Sequence, residues 1–139
     1  HLGVYLGHWL GDTLLESSNL KKVDGIIPVP LHPSKKKKRG YNQAAIIAGA
    51  LSEKLKVLLV KKTLIRVKRT QSLAQIGYDE RWREVDQAFE FNKPLPKEMK
   101  HVLLVDDVIT TGATLTACAR ALLKKNPLKL SIVSLACRL

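Results

Sequence analysis

The sequence predicts an α/β domain with a mainly parallel central sheet flanked by helices. Stretches of strand character alternate with stretches of helical periodicity along the chain, the pattern of a sheet whose strands are joined by helical crossovers. The run Val102-Leu103-Leu104-Val105 is wholly apolar, as a strand covered on both faces must be. A length of 139 residues, 45% hydrophobic and 26% charged, suits one globular core and not two.

Residues 2–16 read as a helix, with Leu2, Leu6, Trp9, Leu10 and Leu14 recurring at helical spacing. Gly3, Gly7 and Gly11 fall on one face of it. In a membrane that spacing suggests helix dimerisation, but the stretch is too short and carries His8 and Asp12. The expectation is a soluble helix packed closely on a neighbour, with His8 at the surface or in that interface. Ser17-Ser18-Asn19 ends the element. Residues 1–20 are therefore set apart as an N-terminal packing or hood segment, and residues 21–139 as the main domain.

Residues 24–31 read as a short buried strand entering a proline-stiffened turn. A basic loop follows over 32–42, and Asn42 is a predicted N-cap for a helix over 43–56. That helix carries Ala44, Ile47, Ala48, Leu51 and Leu55 on its apolar face. Residues 57–60 and 63–67 are strand candidates. Residues 68–83 read as a polar loop of a length that usually signals function. Residues 88–91 alternate as a short strand, 102–105 form the central strand, and 115–125 a helix stopped by Asn126-Pro127. Residues 128–138 supply the last strand. Cys118 and Cys137, in apolar surroundings and without metal-ligand spacing, are expected as buried thiols.

No apolar run approaches the ~18 residues of a membrane span, and no signal-peptide pattern is present, so a cytoplasmic protein without a membrane partner is expected. The net charge of +12 is uneven: residues 1–70 hold 14 Lys+Arg against 4 Asp+Glu, and residues 71–139 hold 10 against 8. Such a surplus suits a polyanion, either a nucleic acid or a small polyphosphate. Aromatic content of 5% leaves few stacking platforms for single strands, though the basic first half keeps nucleic acid among the expected partners. Taken alone, Lys35 to Lys38 read as a solvated basic loop.

The chemistry gathers at residues 102–114. After the apolar strand come Asp106 and Asp107, then Thr110-Thr111-Gly112-Ala113-Thr114, then a helical pattern. Amides and hydroxyls at a helix N-terminus hold an anion. Paired carboxylates accept hydrogen bonds from vicinal hydroxyls or hold a hard cation such as Mg²⁺. A bare Val-Asp-Asp is equally a strand ending in an acidic turn, or the acidic pair of a receiver domain. The hydroxyl-rich loop and the late position in the chain favour a phosphate-sugar site.

Those thirteen residues resemble the phosphoribosyl-pyrophosphate motif of type I phosphoribosyltransferases. A second stretch, Ile27-Pro28-Val29-Pro30-Leu31-His32 with Arg39-Gly40-Tyr41-Asn42-Gln43, joins them, as do Leu64-Ile65-Arg66, Lys68, Thr70, Arg81, Val85 and Ala88-Phe89. Together they resemble the ComF (competence protein F) family of phosphoribosyltransferase-like proteins over about residues 20–139. The chain departs from that family at Glu84, where Asn is usual, and where Gln71 and Gln75 bracket an expected Gln. The cysteine-rich zinc segment that many members carry upstream does not fall within residues 1–139, as expected of a chain whose start is missing.

The resemblance implies a type I phosphoribosyltransferase-like fold that binds 5-phosphoribosyl 1-pyrophosphate with Mg²⁺. It implies phosphoribosyl transfer to an acceptor, with release of pyrophosphate, in nucleotide metabolism. The implied 5′-phosphate loop is Val108, Ile109, Thr110, Thr111, Gly112, Ala113 and Thr114. The implied catalytic pair is Asp106 and Asp107, holding the ribose hydroxyls and making weak or indirect contact with the metal. Pyrophosphate would be received by Pro30, Leu31, His32, Lys37, Lys38 and Arg39, under a lid over 68–83 carrying Arg69 and Arg81. A homodimer is a further expectation. The acceptor, a nucleobase or another group, is not named by any motif. The alternative is a non-catalytic phosphoribosyl-binding protein acting in DNA uptake or regulation.

Overall fold

Two parallel strands at the centre of a four-stranded sheet position everything else. The structure, a computed structural model, describes residues 1–17, 20, 22–68 and 77–138. In chain order the elements are α1 (Leu2–Leu15), β1 (Gly25–Pro28), α2 (Pro33–Arg39), α3 (Gln43–Leu55), β2 (Leu58–Leu59) and β3 (Leu64–Arg66), followed by α4 (Tyr78–Asp86), β4 (Phe89–Phe91), β5 (His101–Ile109), α5 (Ala113–Leu123) and β6 (Lys129–Cys137). The main sheet has the order β2-β1-β5-β6, and every pairing in it is parallel. β3 and β4 form a separate antiparallel pair.

Side chains of a strand alternate between faces, and the core follows that rule. Ile26, Leu103 and Val105 face Leu10 of α1 and Ile47, Ala48 and Leu51 of α3. Ile27, Val102 and Leu104 face Leu115, Cys118 and Leu122 of α5, with Leu64 and Phe89 of the β3–β4 pair. Val102 to Val105 are all at 0% exposure, as the apolar run requires. Each such side chain contributes about 1.5–3 kcal/mol of burial. At the opposite end of β5, the Asp24 carboxylate accepts the amides of Lys100 and His101, both at 2.8 Å. Those two bonds hold its pKa below the usual carboxylate range.

The glycine face of α1 lies against α3, as its spacing predicts. A Cβ placed on Gly7 would fall 2.6 Å from Ala50 Cβ and 3.0 Å from the Ile47 carbonyl oxygen. Lys54 Nζ pairs with Asp12 Oδ1 at 2.8 Å beside the contact, and His8 Nε2 lies 3.1 Å from Glu53 Oε2.

Asn42 caps α3 as predicted, its Oδ1 accepting from the Ala44 amide at 3.1 Å. Its Nδ2 donates to the Val29 carbonyl at 3.0 Å, which ties the start of α3 to the exit of β1. Asn42→Ala is expected to lower stability by about 1–2 kcal/mol, read from the denaturant midpoint at unchanged m-value.

Four expectations are corrected. The basic stretch is helical over Pro33–Arg39 rather than a loop. His32 is its N-cap, Pro33 opens its first turn and Gly40, at φ 81°, ends it. Its cations crowd the last turn, where the helix dipole favours them. Residues 78–83 belong to α4, whose first turn carries Asp79 and Glu80. The rest of the expected lid, with Arg69, Thr70, Gln71 and Gln75, lies outside the described residues. The central strand does not end at the acidic pair but runs to Ile109, because β6 goes on pairing with it as far as Cys137. Finally, Cys118 is buried but Cys137 is exposed, at the end of a strand with β5 alone beside it.

Candidate functional site

The connection from β1 through α3 returns to β2 on one side, and that from β5 through α5 returns to β6 on the other. The chain therefore diverges between β1 and β5, the place where open parallel sheets bind ligands beyond the strand carboxyl ends. β1 stops pairing at Pro28, opposite Val105, with a last bond from the Val29 amide to the Val105 carbonyl at 2.8 Å. Asp106 and Asp107 come immediately after. They stand on β5 with β6 along one side and, among the described residues, no strand along the other.

The two carboxylates are locally organised. Asp106 Oδ1 accepts the Asp107 amide at 2.9 Å, and Asp107 Oδ1 accepts the Val108 amide at 2.9 Å. Burial pushes the Asp106 carboxyl up to about 6, and the neighbouring Asp107 carboxylate adds to the rise. The Asp107 amide and the Arg66 cation pull the other way. Arg66 extends from β3 with its guanidinium 5.2 Å from the centroid of the Phe89 ring, and its Nε donates to the Lys68 carbonyl at 3.3 Å. The sequence marked Arg66 as a family match without a role. Its charge bears on Asp106 through tertiary packing, and no local pattern could show that. Burial pushes the Cys118 thiol up as well, so this cysteine is a packing residue rather than a nucleophile.

Past Ile109 the chain turns through Thr110, Thr111 and Gly112 into α5. Gly112 has φ 80°, which disfavours a side chain there. The Ala113 amide reaches Thr111 Oγ1 at 3.3 Å, and Thr116 Oγ1 donates to the Gly112 carbonyl at 2.8 Å. A polar hollow of about 40 Å³ opens here, bounded by Asp106 and residues 108–115. Thr110, Thr111, Thr114 and the residues opening α5 line this one recess, with Asp106 beside them, the residue types that hold an anion at a helix start. Val108 and Ile109 sit beside it on β5 rather than in a loop.

The expected pyrophosphate residues are less gathered. Pro30, Leu31 and His32 lead away from β1 next to the acidic pair. His32 is occupied as a cap, its Nδ1 2.8 Å from Ser34 Oγ and 3.2 Å from the Ser34 amide. Lys37, Lys38 and Arg39 are exposed on the last turn of α2, outside the hollow, and make no ion pair among the described residues. Arg81 lies on α4, and α4 is joined to α5 by Asp86 and Arg120 at 3.1 Å. The start of α1 reaches this region through the His1 ring, edge-on to Tyr41 at 5.3 Å.

Among the described residues no group of three or more His, Cys, Asp or Glu gathers around a point that could hold a metal ion. The adjacent carboxylates Asp106 and Asp107 fit a hard cation that keeps most of its water and takes its remaining oxygens from a ligand. No helix among the described residues is long and apolar enough to cross a membrane.

The phosphoribosyl transferase domain family matches residues 37–138. This chain belongs to it. The chain is 34% identical over 120 residues to competence protein F of Haemophilus influenzae, covering 84% of this chain and 52% of that protein. It is 32% identical over 110 residues to the DNA utilization protein YhgH of Salmonella typhimurium, covering 79% and 48%. A further relative is the competence protein ComFC of Bacillus subtilis, 30% identical over 105 residues and covering 73% and 39%. The resemblance to the ComF family read from the sequence is thus matched by named relatives. The chain spans about half the length of the first two of them. Among solved structures, a purine phosphoribosyltransferase from Pyrococcus horikoshii aligns over 96% of this chain and 71% of its own, with TM-score 0.55 and 23% identity. A Thermus thermophilus protein aligns over 98% and 83%, with TM-score 0.55 and 14% identity. These likenesses are of fold, which is type I phosphoribosyltransferase-like.

Proposed function

We propose that the chain binds 5-phosphoribosyl 1-pyrophosphate with Mg²⁺ at the β1/β5 rim and transfers its phosphoribosyl group to an acceptor, releasing pyrophosphate. The supporting observation is the juxtaposition of Asp106, just past the last β1 rung, with the hollow at the start of α5. The 5′-phosphate occupies that hollow, held by the amides opening α5 and by the hydroxyls of Thr110, Thr111 and Thr114. Asp106 and Asp107 accept hydrogen bonds from the ribose 2′- and 3′-hydroxyls, and hold Mg²⁺ directly or through water. When bound, the metal neutralises pyrophosphate oxygens. The Pro30-Leu31-His32 turn, with Lys37, Lys38 and Arg39, receives the leaving pyrophosphate. As the bond from ribose C1 to pyrophosphate breaks and the bond to the acceptor forms, the sugar becomes oxocarbenium-like. The carboxylates stabilise that positive charge, and the cations of α2 stabilise the departing anion.

Calorimetry with the ribosyl donor and Mg²⁺ tests the site. Asp106→Asn/Asp107→Asn is expected to weaken binding about a hundredfold, since each hydrogen bond to a charged group contributes about 1.5–3 kcal/mol. Unchanged affinity in the double variant overturns the assignment. Turnover is read separately, as pyrophosphate release with a panel of nucleobases.

A second reading, a donor-binding protein without turnover that acts in DNA uptake or regulation, is favoured by the names of the relatives, competence protein F and DNA utilization protein. Micromolar donor binding without pyrophosphate release supports it. A nucleic-acid partner for the basic first half predicts a DNA affinity that falls steeply with salt, and a shallow slope excludes a phosphate-tracking surface.

A further inference from the structure

A second cavity among the described residues is larger than the phosphate hollow. It measures about 730 Å³, within the ~300–1,000 Å³ typical of small-ligand pockets. It lies along the outer edge of the sheet, between α3 and the segment that runs from β2 into β3. None of residues 106–115 contributes to it, whereas Pro30 and Leu31 of the expected pyrophosphate turn do line it. Its walls include Ile27, Ile46, Leu59, Val60, Leu64 and Ile65. Gly49 of α3 opens the helix side, because a Cβ added there meets nothing within 4 Å.

The charged groups around this apolar space are mostly cationic, and the uncharged polar side chains are Tyr41, Asn42 and Thr63. Lys36, Lys61, Lys62 and Arg66 border it against the single carboxylate of Glu53, and Glu53 is paired with His8 at 3.1 Å. The three lysines make no ion pair among the described residues. Lys62 holds a left-handed backbone, φ 62°, an unfavourable state for a side-chain-bearing residue. That turn is pinned from outside by Asn92, whose Nδ2 donates to the Lys62 carbonyl at 2.9 Å and whose amide donates to the Thr63 carbonyl at 2.7 Å. Thr63 is itself a wall residue, 1% exposed, and its hydroxyl has no hydrogen-bond partner among the described residues. A buried hydroxyl without a partner is uncommon in a finished structure.

We propose that this cavity is a second ligand site, for a small organic acid with a flat apolar body and one anionic group. The body lies on the Ile46, Leu59 and Ile65 wall, the anion meets Lys61 and Lys62, and Thr63 offers a hydrogen bond. This goes beyond the donor site, which the cavity adjoins at Pro30 and Leu31, because the residues that take the body and the anion belong to α3 and the β2–β3 segment.

The probe is 8-anilino-1-naphthalenesulfonate, titrated by fluorescence against the whole chain, with the uncharged N-phenyl-1-naphthylamine beside it. Saturable one-to-one binding of the sulfonate is expected. Gly49→Leu, which fills the cavity while improving helix propensity, weakens both probes about tenfold. Lys61→Ala/Lys62→Ala weakens the sulfonate about tenfold and leaves the uncharged probe within about twofold. Saturating ribosyl donor with Mg²⁺ leaves sulfonate affinity within about twofold. Native-like sulfonate binding in Gly49→Leu overturns the proposal, as it puts the probe elsewhere, for example on the exposed Tyr5 and Trp9 of α1. Equal loss of both probes in the lysine variant overturns the anion assignment, and displacement by the donor overturns its separateness.

Discussion

Asp106→Asn is expected to make the folded protein more stable than the parent at pH 7 and equally stable near pH 4. The Asp106 carboxyl sits at about 6 in the folded state against 3.8 for the free side chain. The folded state therefore holds this proton more tightly than the unfolded chain does. Stability falls as pH rises from the lower value to the higher, and the penalty is complete above about 6. Each unit corresponds to about 1.36 kcal/mol. The group keeps partial solvent contact, so screening reduces the expected gain of the Asn variant to about 1–2 kcal/mol. Denaturant midpoints between pH 4 and 8 measure it, and parallel curves for the two proteins would contradict the assignment. On the donor binding proposed above, the same ionisation sets a pH profile. Donor affinity with Mg²⁺ is expected to drop by about tenfold per unit as pH falls below about 6, and Asp106→Asn removes that slope along with most of the affinity.

Gly7→Val is expected to destabilise the fold by about 3 kcal/mol, the upper part of the range for overpacking. The nearest neighbours of the new Cβ include the Ile47 backbone and Ala50 Cβ, at 3.0 and 2.6 Å. Neither is the far end of a flexible side chain, so α1 must lift from α3 and uncover Leu10 and Leu51. Gly49→Ala, on the same pair of helices, is expected to stabilise by about 0.5–1 kcal/mol, because it gains propensity without a contact. Thermal or chemical unfolding of the two variants should move in opposite directions. Equal shifts would mean that α1 does not bear on α3 in this way.

These two sites mark what could be read from the chain in advance. Val102–Val105 announced a doubly covered strand, Gly3, Gly7 and Gly11 a close helix contact, and Asn42 a cap, because each is a local pattern with one physical cause. α2 was hidden by its composition. Four consecutive lysines read as solvent-exposed loop, and nothing in α2 is buried, so its only helical signals were Pro33 at the start and Gly40 at the end. α4 has only Tyr78, Trp82 and Val85 at helical spacing within nine otherwise polar residues, a stripe too short to stand out in a polar stretch. The extension of β5 through Asp106 to Ile109 depends on β6, some 28 residues further along. The charge of Arg66 near Asp106 and the cavity beside β2 are likewise products of packing between distant segments.

The two hydrogen bonds of Asn42 have a consequence in polymer terms. Its side chain joins the Val29 carbonyl to the Ala44 amide, so the intervening segment is a closed loop with a fixed neck. Because α2 buries no side chain, the contour length of that loop is decoupled from the core. Loop entropy grows only as the logarithm of length, about 0.6 kcal/mol per doubling. Insertions between Ser34 and Lys38 should therefore be tolerated by the fold, while the spacing across the neck, set by one amide, should not change.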